Sequence, residues 1–354
     1  MSGGVDSSVT AFLLKQQGWE VIGVTMKVWP QDCMTRAEDK CCGPSAIADA
    51  RGVAHKLGVP HYVVDEASEF EKQIIDYFAS EYQAGRTPNP CVMCNEKLKF
   101  GNLWSKARAL GAEFIATGHY AIIDHAEDGT ATLRKGVDGR KDQSYFLFSL
   151  KQAQLRTAMT PLGGMTKPEI RDIARQIGLR VADKVDSQEI CFVPGDYKEF
   201  LKSHLGEKEF HPGGIYDMAG NRLGEHAGIE MFTIGQRKGL PGGSPKPRYV
   251  VDIDADNSRV IVGYEEDLIR EEFETANVSW PNGEPAEAFA ASVKIRYAHP
   301  GTPATITPLA NGRAHVRLHE PQRAVTPGQA SVFYDGDRVV GGGWISRQPV
   351  LVAA

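Results

Sequence analysis

The sequence predicts an α/β domain built on a parallel sheet, followed by a small central β-rich domain and a C-terminal β-barrel. Three observations carry that prediction. Strand-length apolar runs alternate with helical stretches over the first half of the chain, the pattern of βα units. Composition then turns rich in Gly and Pro at His211-Pro212-Gly213-Gly214. Further on, short segments alternate polar and apolar residues and are divided by Asn311-Gly312 and Asp335-Gly336, both hairpin dipeptides. At 354 residues the chain exceeds a single core, and the expected domains are 1–205, 206–274 and 275–354.

The first domain opens with Met1-Ser2-Gly3-Gly4-Val5-Asp6-Ser7-Ser8, running into the helical Val9-Thr10-Ala11-Phe12-Leu13-Leu14. Two glycines allow the backbone to approach an anion, and Asp6 and the serines are expected to cap the helix. The helix N-terminus itself favours phosphate oxygens. No G-x-x-x-x-G-K-S/T string occurs, so this is not the common P-loop. A loop of this kind normally follows a buried parallel strand, and the expectation is that this strand is missing from the sequence. Residues 20–29 are nearly continuously apolar and read as a buried strand. Residues 45–57 read as a helix stopped by Gly58, and 61–64 as a short strand. Helices are expected over 69–84 and 95–110, and a strand over 114–117. Ligands of parallel sheets sit beyond the carboxyl ends of the strands, so the loops after Met26 and Thr117 should face the same ligand as the glycine loop. Residues 121–135 read as a hairpin around Asp128-Gly129. Thr166-Lys167-Pro168-Glu169 is a helix start, with Thr as cap and Glu three residues on, and Gly178 ends that helix. Short strands at 249–253 and 259–262 mark the central domain, and those at 293–297, 314–318 and 331–334 the barrel, which begins near Ala276.

Apolar, charged and aromatic fractions of 42%, 24% and 8% are those of a globular protein. No run reaches membrane-spanning length and no basic-then-apolar signal opens the chain, so the cytoplasm is expected. A net charge of −5 argues against a basic coat but leaves room for a local basic groove. In that compartment the six cysteines (Cys33, Cys41, Cys42, Cys91, Cys94 and Cys191) are not expected to form structural disulfides. Metal binding or thiol chemistry is the expectation for those that cluster.

Cys91 and Cys94 lie in Thr87-Pro88-Asn89-Pro90-Cys91-Val92-Met93-Cys94-Asn95, a proline-stiffened loop before a helix. At a helix N-terminus the Cys94 thiolate would be stabilised and its pKa lowered. A lone C-x-x-C is compatible with zinc, an iron–sulfur cluster, redox exchange or two unrelated cysteines, and zinc would need two further ligands. Cys191, in Asp186-Ser187-Gln188-Glu189-Ile190-Cys191-Phe192, follows a polar run that does not look like core.

The string Ser2-Gly3-Gly4-Val5-Asp6-Ser7-Ser8 resembles the PP-loop of the ATP pyrophosphatases, which cleave ATP between the α- and β-phosphates and leave an adenylated substrate. With it, in one order, come the Cys94 loop, Ala116-Thr117-Gly118-His119-Tyr120, Lys141-Asp142-Gln143-Ser144-Tyr145-Phe146-Leu147, Ser187-Gln188-Glu189-Ile190-Cys191-Phe192 and Phe232-Thr233-Ile234-Gly235-Gln236-Arg237-Lys238-Gly239-Leu240. Together with Lys294-Ile295-Arg296-Tyr297 and Pro327-Gly328-Gln329, they resemble the tRNA 2-thiouridylase family, called MnmA in bacteria, over essentially the whole chain.

That resemblance implies a PP-loop (adenine nucleotide α-hydrolase-like) first domain and a tRNA-contacting barrel. It implies that ATP, with Mg²⁺, adenylates the 2-oxygen of the wobble uridine, and that a cysteine persulfide then delivers sulfur to C2. Cys191 would carry the persulfide and Cys94 would be the partner thiol. Ser2, Gly3, Gly4, Val5, Asp6, Ser7, Met26 and Gly118 match nucleotide contacts, and Asn89, Pro90 and Cys91 the loop beside the target base. His119, Lys141, Asp142, Gln143, Arg296, Tyr297 and Gln329 match tRNA contacts. Implied partners are tRNA with a wobble uridine and a persulfide-relay sulfur donor, with no membrane and a monomeric chain. Much of the family has aspartate where this chain has Cys91. Three thiolates, Cys91, Cys94 and Cys191, would suffice for a 4Fe–4S cluster with one open iron, an alternative to the persulfide route. Cys33, Cys41 and Cys42 read as ordinary thiols within reach of a donor. The rival readings are another PP-loop ligase or synthetase, which needs no thiol pair, and a non-catalytic tRNA-binding protein.

Overall fold

The computed structural model describes residues 1–28, 43–184, 190–193, 195–244 and 246–348. Residue 29 of the expected strand lies outside them, as do Cys33, Cys41, Cys42, Asp186, Ser187, Gln188 and Glu189, named above. The chain forms two compact units, Met1–Ile75 with Cys91–Pro194 and Asp337–Val339, and Asp76–Pro90 with Gly195–Gly336 and Val340–Ala354.

In the first unit α1 (Val5–Gln16) packs on α2 (Pro44–Leu57) and on the helix Lys167–Gln176. Val5, Val9, Val53, Tyr120, Ile170 and Ala174 form the core between them. Burying a side chain such as Val9 stabilises by about 1.5–3 kcal/mol. α2 carries Pro in its first turn and stops at Gly58, whose φ of +64° an L-residue adopts only with strain. β1 (Gly23–Lys27) and β2 (His61–Asp65) pair in parallel, from Gly23 opposite His61 to Lys27 opposite Asp65. Among the described residues of the strand expected over 20–29, pairing covers those five, because apolar continuity extends beyond the ladder. Met1 lies alongside β1: its amine donates to the Val24 carbonyl, and the Thr25 hydroxyl donates to Met1 O at 2.6 Å. α3 (Ala67–Phe70) follows β2.

β3 (Ile115–Ala116) leads into the expected hairpin of β4 (Ala121–His125) and β5 (Ala131–Lys135), which turns at Gly129 with φ +79°. β6 (Ala158–Met159) pairs in parallel with β3. Among the described residues the expected parallel sheet is two two-stranded parallel pairs.

The second unit holds a four-stranded sheet and a barrel. β7 (Gly213–Asp217), β8 (Arg222–His226), β9 (Tyr249–Asp254) and β10 (Arg259–Gly263) lie in the order β8-β7-β10-β9, over a core of Ile215, Val250, Ile253, Val260 and Val262. β11 (Ile269–Ser279), β12 (Phe289–Lys294), β13 (Thr302–Leu309), β14 (Arg313–Arg323), β15 (Ala330–Asp335) and β16 (Arg338–Ile345) close into a barrel when β16 returns to pair with β11. Closure leaves no open edge. Phe273, Val293, Ile306, Val316 and Phe333 fill its interior. Its first strand opens at Ile269, earlier than the expected Ala276, because charged Glu272 and Glu274 alternate outward and mask the inward Phe273 and Thr275. Asn311 and Gly312, with φ +62° and +65°, make the expected hairpin turn. No helix among the described residues is long and apolar enough to cross a membrane.

Candidate active site

The glycine loop is shaped by close approach. Gly3 has φ +68°, and a Cβ there would collide with the carbonyl of Ala46. Gly4 is the N-cap of α1 and makes no side-chain cap bond. The expected capping by Asp6 and the serines is corrected by the geometry. The Ser7 and Ser8 hydroxyls donate back to Gly4 O at 3.3 and 2.7 Å, and Ser7 Oγ accepts from the Ser2 N–H at 3.0 Å. Asp6 turns away to other partners. The first turn of α1 therefore opens at a residue with no capping side chain, as an anion site requires.

Asp6 is held from two sides. Tyr120 donates its hydroxyl to Oδ1 at 2.7 Å, and Lys167 Nζ lies 2.8 and 2.9 Å from the two oxygens. Lys184 Nζ donates to Gly3 O at 3.2 Å and pairs with Asp49 at 2.8 Å. Gly118 follows β3 and packs onto the same turn, where a Cβ would lie 2.9 Å from Asp6 C and 3.0 Å from Ser7 N. The loop after Thr117 thus meets the glycine loop as expected, while Met26 stands at the carboxyl end of β1, partly buried.

Cys94 does not start its helix. The helical run begins at Pro90, as an α-turn Pro90–Met93, a π-helical stretch Cys94–Leu103 and a further α-helix Trp104–Ala109. Such π segments are rare and concentrate at functional sites. The dipole argument for a lowered Cys94 pKa fails here: burial raises its thiol, and the nearby Lys99 ammonium offsets this in part. Cys91 is solvent-exposed in the first turn, yet protein surrounds it densely enough that desolvation lifts its thiol to about 11, with Cys94 adding to the shift. The two thiols, three residues apart, share one helix face. Lys99 is fixed by a 2.9 Å bond to Asn95 Oδ1, and Asn95 donates to Phe146 O at 3.0 Å. His119 is buried, bonded through Nδ1 to Thr117 Oγ1 at 2.7 Å and packed near Phe100 at 6.2 Å. Burial, then Lys99, holds its pKa well below 6.5, so it is neutral at pH 7.

Cys191 is half-buried, and its neighbour Phe192 packs edge-on against Phe70 at 5.7 Å. Phe70 ends α3, which packs on the Cys94–Leu103 stretch. Among the described residues no three His, Cys, Asp or Glu side chains gather so as to hold a metal ion. Mg²⁺ makes a lighter demand, one or two carboxylates completed by substrate phosphates; Asp6 stands beside the open turn of α1, with both its oxygens held by Lys167 and Tyr120.

Several residues matched to tRNA have interior work. Asp142 is buried, accepting from Gly136 N, Ser144 N and Ser144 Oγ at 3.1, 3.0 and 3.0 Å. Gln143 brackets Tyr120, accepting its N–H at 3.0 Å and donating its own N–H to Tyr120 O at 2.7 Å. Lys141 is partly buried in the same turn. In the second unit, Gln329 donates to the Thr87 and Pro88 carbonyls at 3.1 Å each. Gly328, with φ +86°, presses against Arg86 and Thr87. That turn braces the stretch leading to the buried Asn89 and Pro90. Arg296 and Tyr297 are exposed after β12, with Lys294 Nζ 5.7 Å from the Tyr297 ring. The sequence reading missed Lys167, Lys99 and Lys184, which carry the site's positive charge. Only Lys167 stood in a recognised motif, and there as a helix start.

Residues 1–195 match the family described as tRNA methyl transferase HUP domain. Residues 198–264 match the tRNA methyl transferase PRC-barrel domain, and 270–345 the aminomethyltransferase beta-barrel domain. A protein of Geobacter metallireducens named tRNA-specific 2-thiouridylase MnmA is 52% identical over 350 residues, covering 98% of this chain and 95% of that one. The like-named proteins of Caldanaerobacter subterraneus and Geotalea uraniireducens are each 52% identical, covering 98% of this chain and 97% and 94% of theirs. A solved chain titled as a predicted subunit of tRNA methyltransferase from Methanocaldococcus jannaschii is 20% identical, spans 49% of this chain and 73% of that one, and has a TM-score of 0.29. With half its residues shared along nearly the whole length of such relatives, this chain belongs to the tRNA-specific 2-thiouridylase family, MnmA.

Proposed function

We propose that this chain is an ATP-dependent tRNA-uridine 2-sulfurtransferase acting on the wobble uridine. The observation that carries the reading is the pairing, in one unit, of an uncapped phosphate-type turn at Gly3 and Gly4 with thiols at Cys94 and Cys191. A methyl transfer needs no ATP-phosphate turn and no sulfur carrier. The turn amides bind the phosphates of ATP, and the uridine 2-oxygen attacks the α-phosphate, expelling pyrophosphate. Mg²⁺ brought in on the phosphates of ATP would supply charge neutralisation there. The adenylated oxygen is a good leaving group, which the free carbonyl oxygen is not.

Sulfur comes from a persulfide on Cys191, loaded by a donor protein. Its terminal sulfur adds to C2 and AMP departs. The Cys94 thiolate then attacks the Cys191 sulfur, leaving the new sulfur on the base and a Cys94–Cys191 disulfide that a thiol reductant must reset. If Cys94 attacks the persulfide first, hydrosulfide is freed to add to C2, and the same disulfide results. Both orders need Cys94 ionised, and the Lys99 ammonium favours the thiolate against burial. Asn89, Pro90 and Cys91 form the loop beside the target base, and exposed Arg296 and Tyr297 suit phosphate contact and base stacking. His119, Lys141, Asp142, Gln143 and Gln329 support tRNA binding by shaping these surfaces.

Chromatography of the nucleotide products tests the reading. The expected products are AMP and pyrophosphate, formed only when tRNA with a wobble uridine is present. ADP and phosphate as the main products contradict it.

A further inference from the structure

Lys167 is 7% exposed and stands at the first position of the helix Lys167–Gln176. Both features are unfavourable for a cation. Desolvating an ammonium costs several kcal/mol, and a helix N-terminus repels positive charge. The surroundings nonetheless fix it there. The Thr166–Glu169 capping box sets the helix start, Asp138 accepts the Lys167 N–H at 3.1 Å, and Nζ lies 5.6 Å from the Tyr120 ring. Nζ then spans both oxygens of Asp6, 161 residues away in sequence, at the open turn of α1. The glycine loop has no lysine of its own, whereas P-loops of the G-x-x-x-x-G-K-S/T kind use one to reach the phosphates.

We propose that Lys167 is the cation that serves Asp6 of the glycine loop. It is a positioning residue that clamps Asp6 before ATP arrives and offsets the charge gathered there once phosphates lie on the turn. Tyr120, bracketed by Gln143, completes the clamp from the other side. The inference rests on the ATP reading of the loop given above.

The test uses the full chain with tRNA, ATP and, separately, pyrophosphate as a binding probe. Lys167→Met should lower kcat for AMP formation by about 10²-fold with KM for tRNA unchanged, and Lys167→Arg should restore much of it. Pyrophosphate affinity, measured by calorimetry on folded protein, should fall about tenfold or more in Lys167→Met. Should that variant fold poorly, the neutral pair Asp6→Asn/Lys167→Met is compared with Asp6→Asn alone, and the same loss of affinity is expected. Wild-type AMP formation with unaltered kcat and pyrophosphate affinity in these variants overturns the role of Lys167 alone. A wild-type protein that forms no AMP overturns the ATP reading and this inference with it.

Discussion

The three described cysteines occupy different settings, and their roles should separate accordingly. Cys91 is exposed at a helix start, with its thiol raised to about 11, so at pH 7 it is protonated and a poor nucleophile. A carboxylate at that position would sit well with the helix dipole. Cys91→Asp should therefore keep ATP-dependent thiolation within a few-fold, whereas Cys94→Ser and Cys191→Ser should each reduce it to background, read by mass spectrometry of the wobble nucleoside. Loss of thiolation in Cys91→Asp, with normal AMP formation, would give Cys91 a chemical role that its protonated state argues against. The glycine loop and the cysteines stood out in the sequence by residue type. Their surroundings were not, because Lys99, His119 and Lys167 become partners only through folding.

At the scale of elements, the Cys94 helix departs most from a reading of periodicity. A π-helical ladder leaves the residue pattern close to that of an α-helix, so the sequence showed one helix over 95–110 and hid both its earlier start and its widened turns. What stabilises the wide stretch comes from elsewhere in the chain. Gln154 Nε2 donates to Glu96 O at 3.1 Å and to Phe100 O at 3.0 Å, satisfying carbonyls of the Cys94–Leu103 stretch. Gln154→Leu should cost about 1–3 kcal/mol in chemical denaturation, the penalty for leaving such groups unpaired. An unchanged midpoint would mean that water serves those carbonyls as well. Elements with explicit punctuation were legible. The Thr166–Glu169 box, Gly58, and Asn311 with Gly312 all fall where local chemistry requires them. The start of β11 was hidden because its outward glutamates look like a solvated run.

Across the whole molecule, burial of neutral histidines sets a pH dependence. His119, His226 and His299 all have pKa values below the ordinary 6.5, chiefly by desolvation. The unfolded chain binds these protons at a higher pH than the folded one, so the stabilisation is complete above pH 6.5 and is lost as pH falls toward the folded values. The denaturation midpoint should be flat between pH 7 and 8 and decline below 6.5, with His119→Gln flattening the decline. A midpoint that holds or rises down to about pH 5.5 would contradict that assignment. The central claim, sulfur transfer to tRNA driven by ATP cleavage to AMP, has a more direct test. Iron-free protein is incubated with wobble-uridine tRNA, ATP, Mg²⁺ and a persulfide donor, and the digested nucleosides are weighed by mass spectrometry while AMP is counted. The account predicts replacement of oxygen by sulfur at the wobble uridine, with one AMP formed per thiolated nucleoside. A methylated or unchanged nucleoside, or sulfur incorporation without AMP, would contradict it.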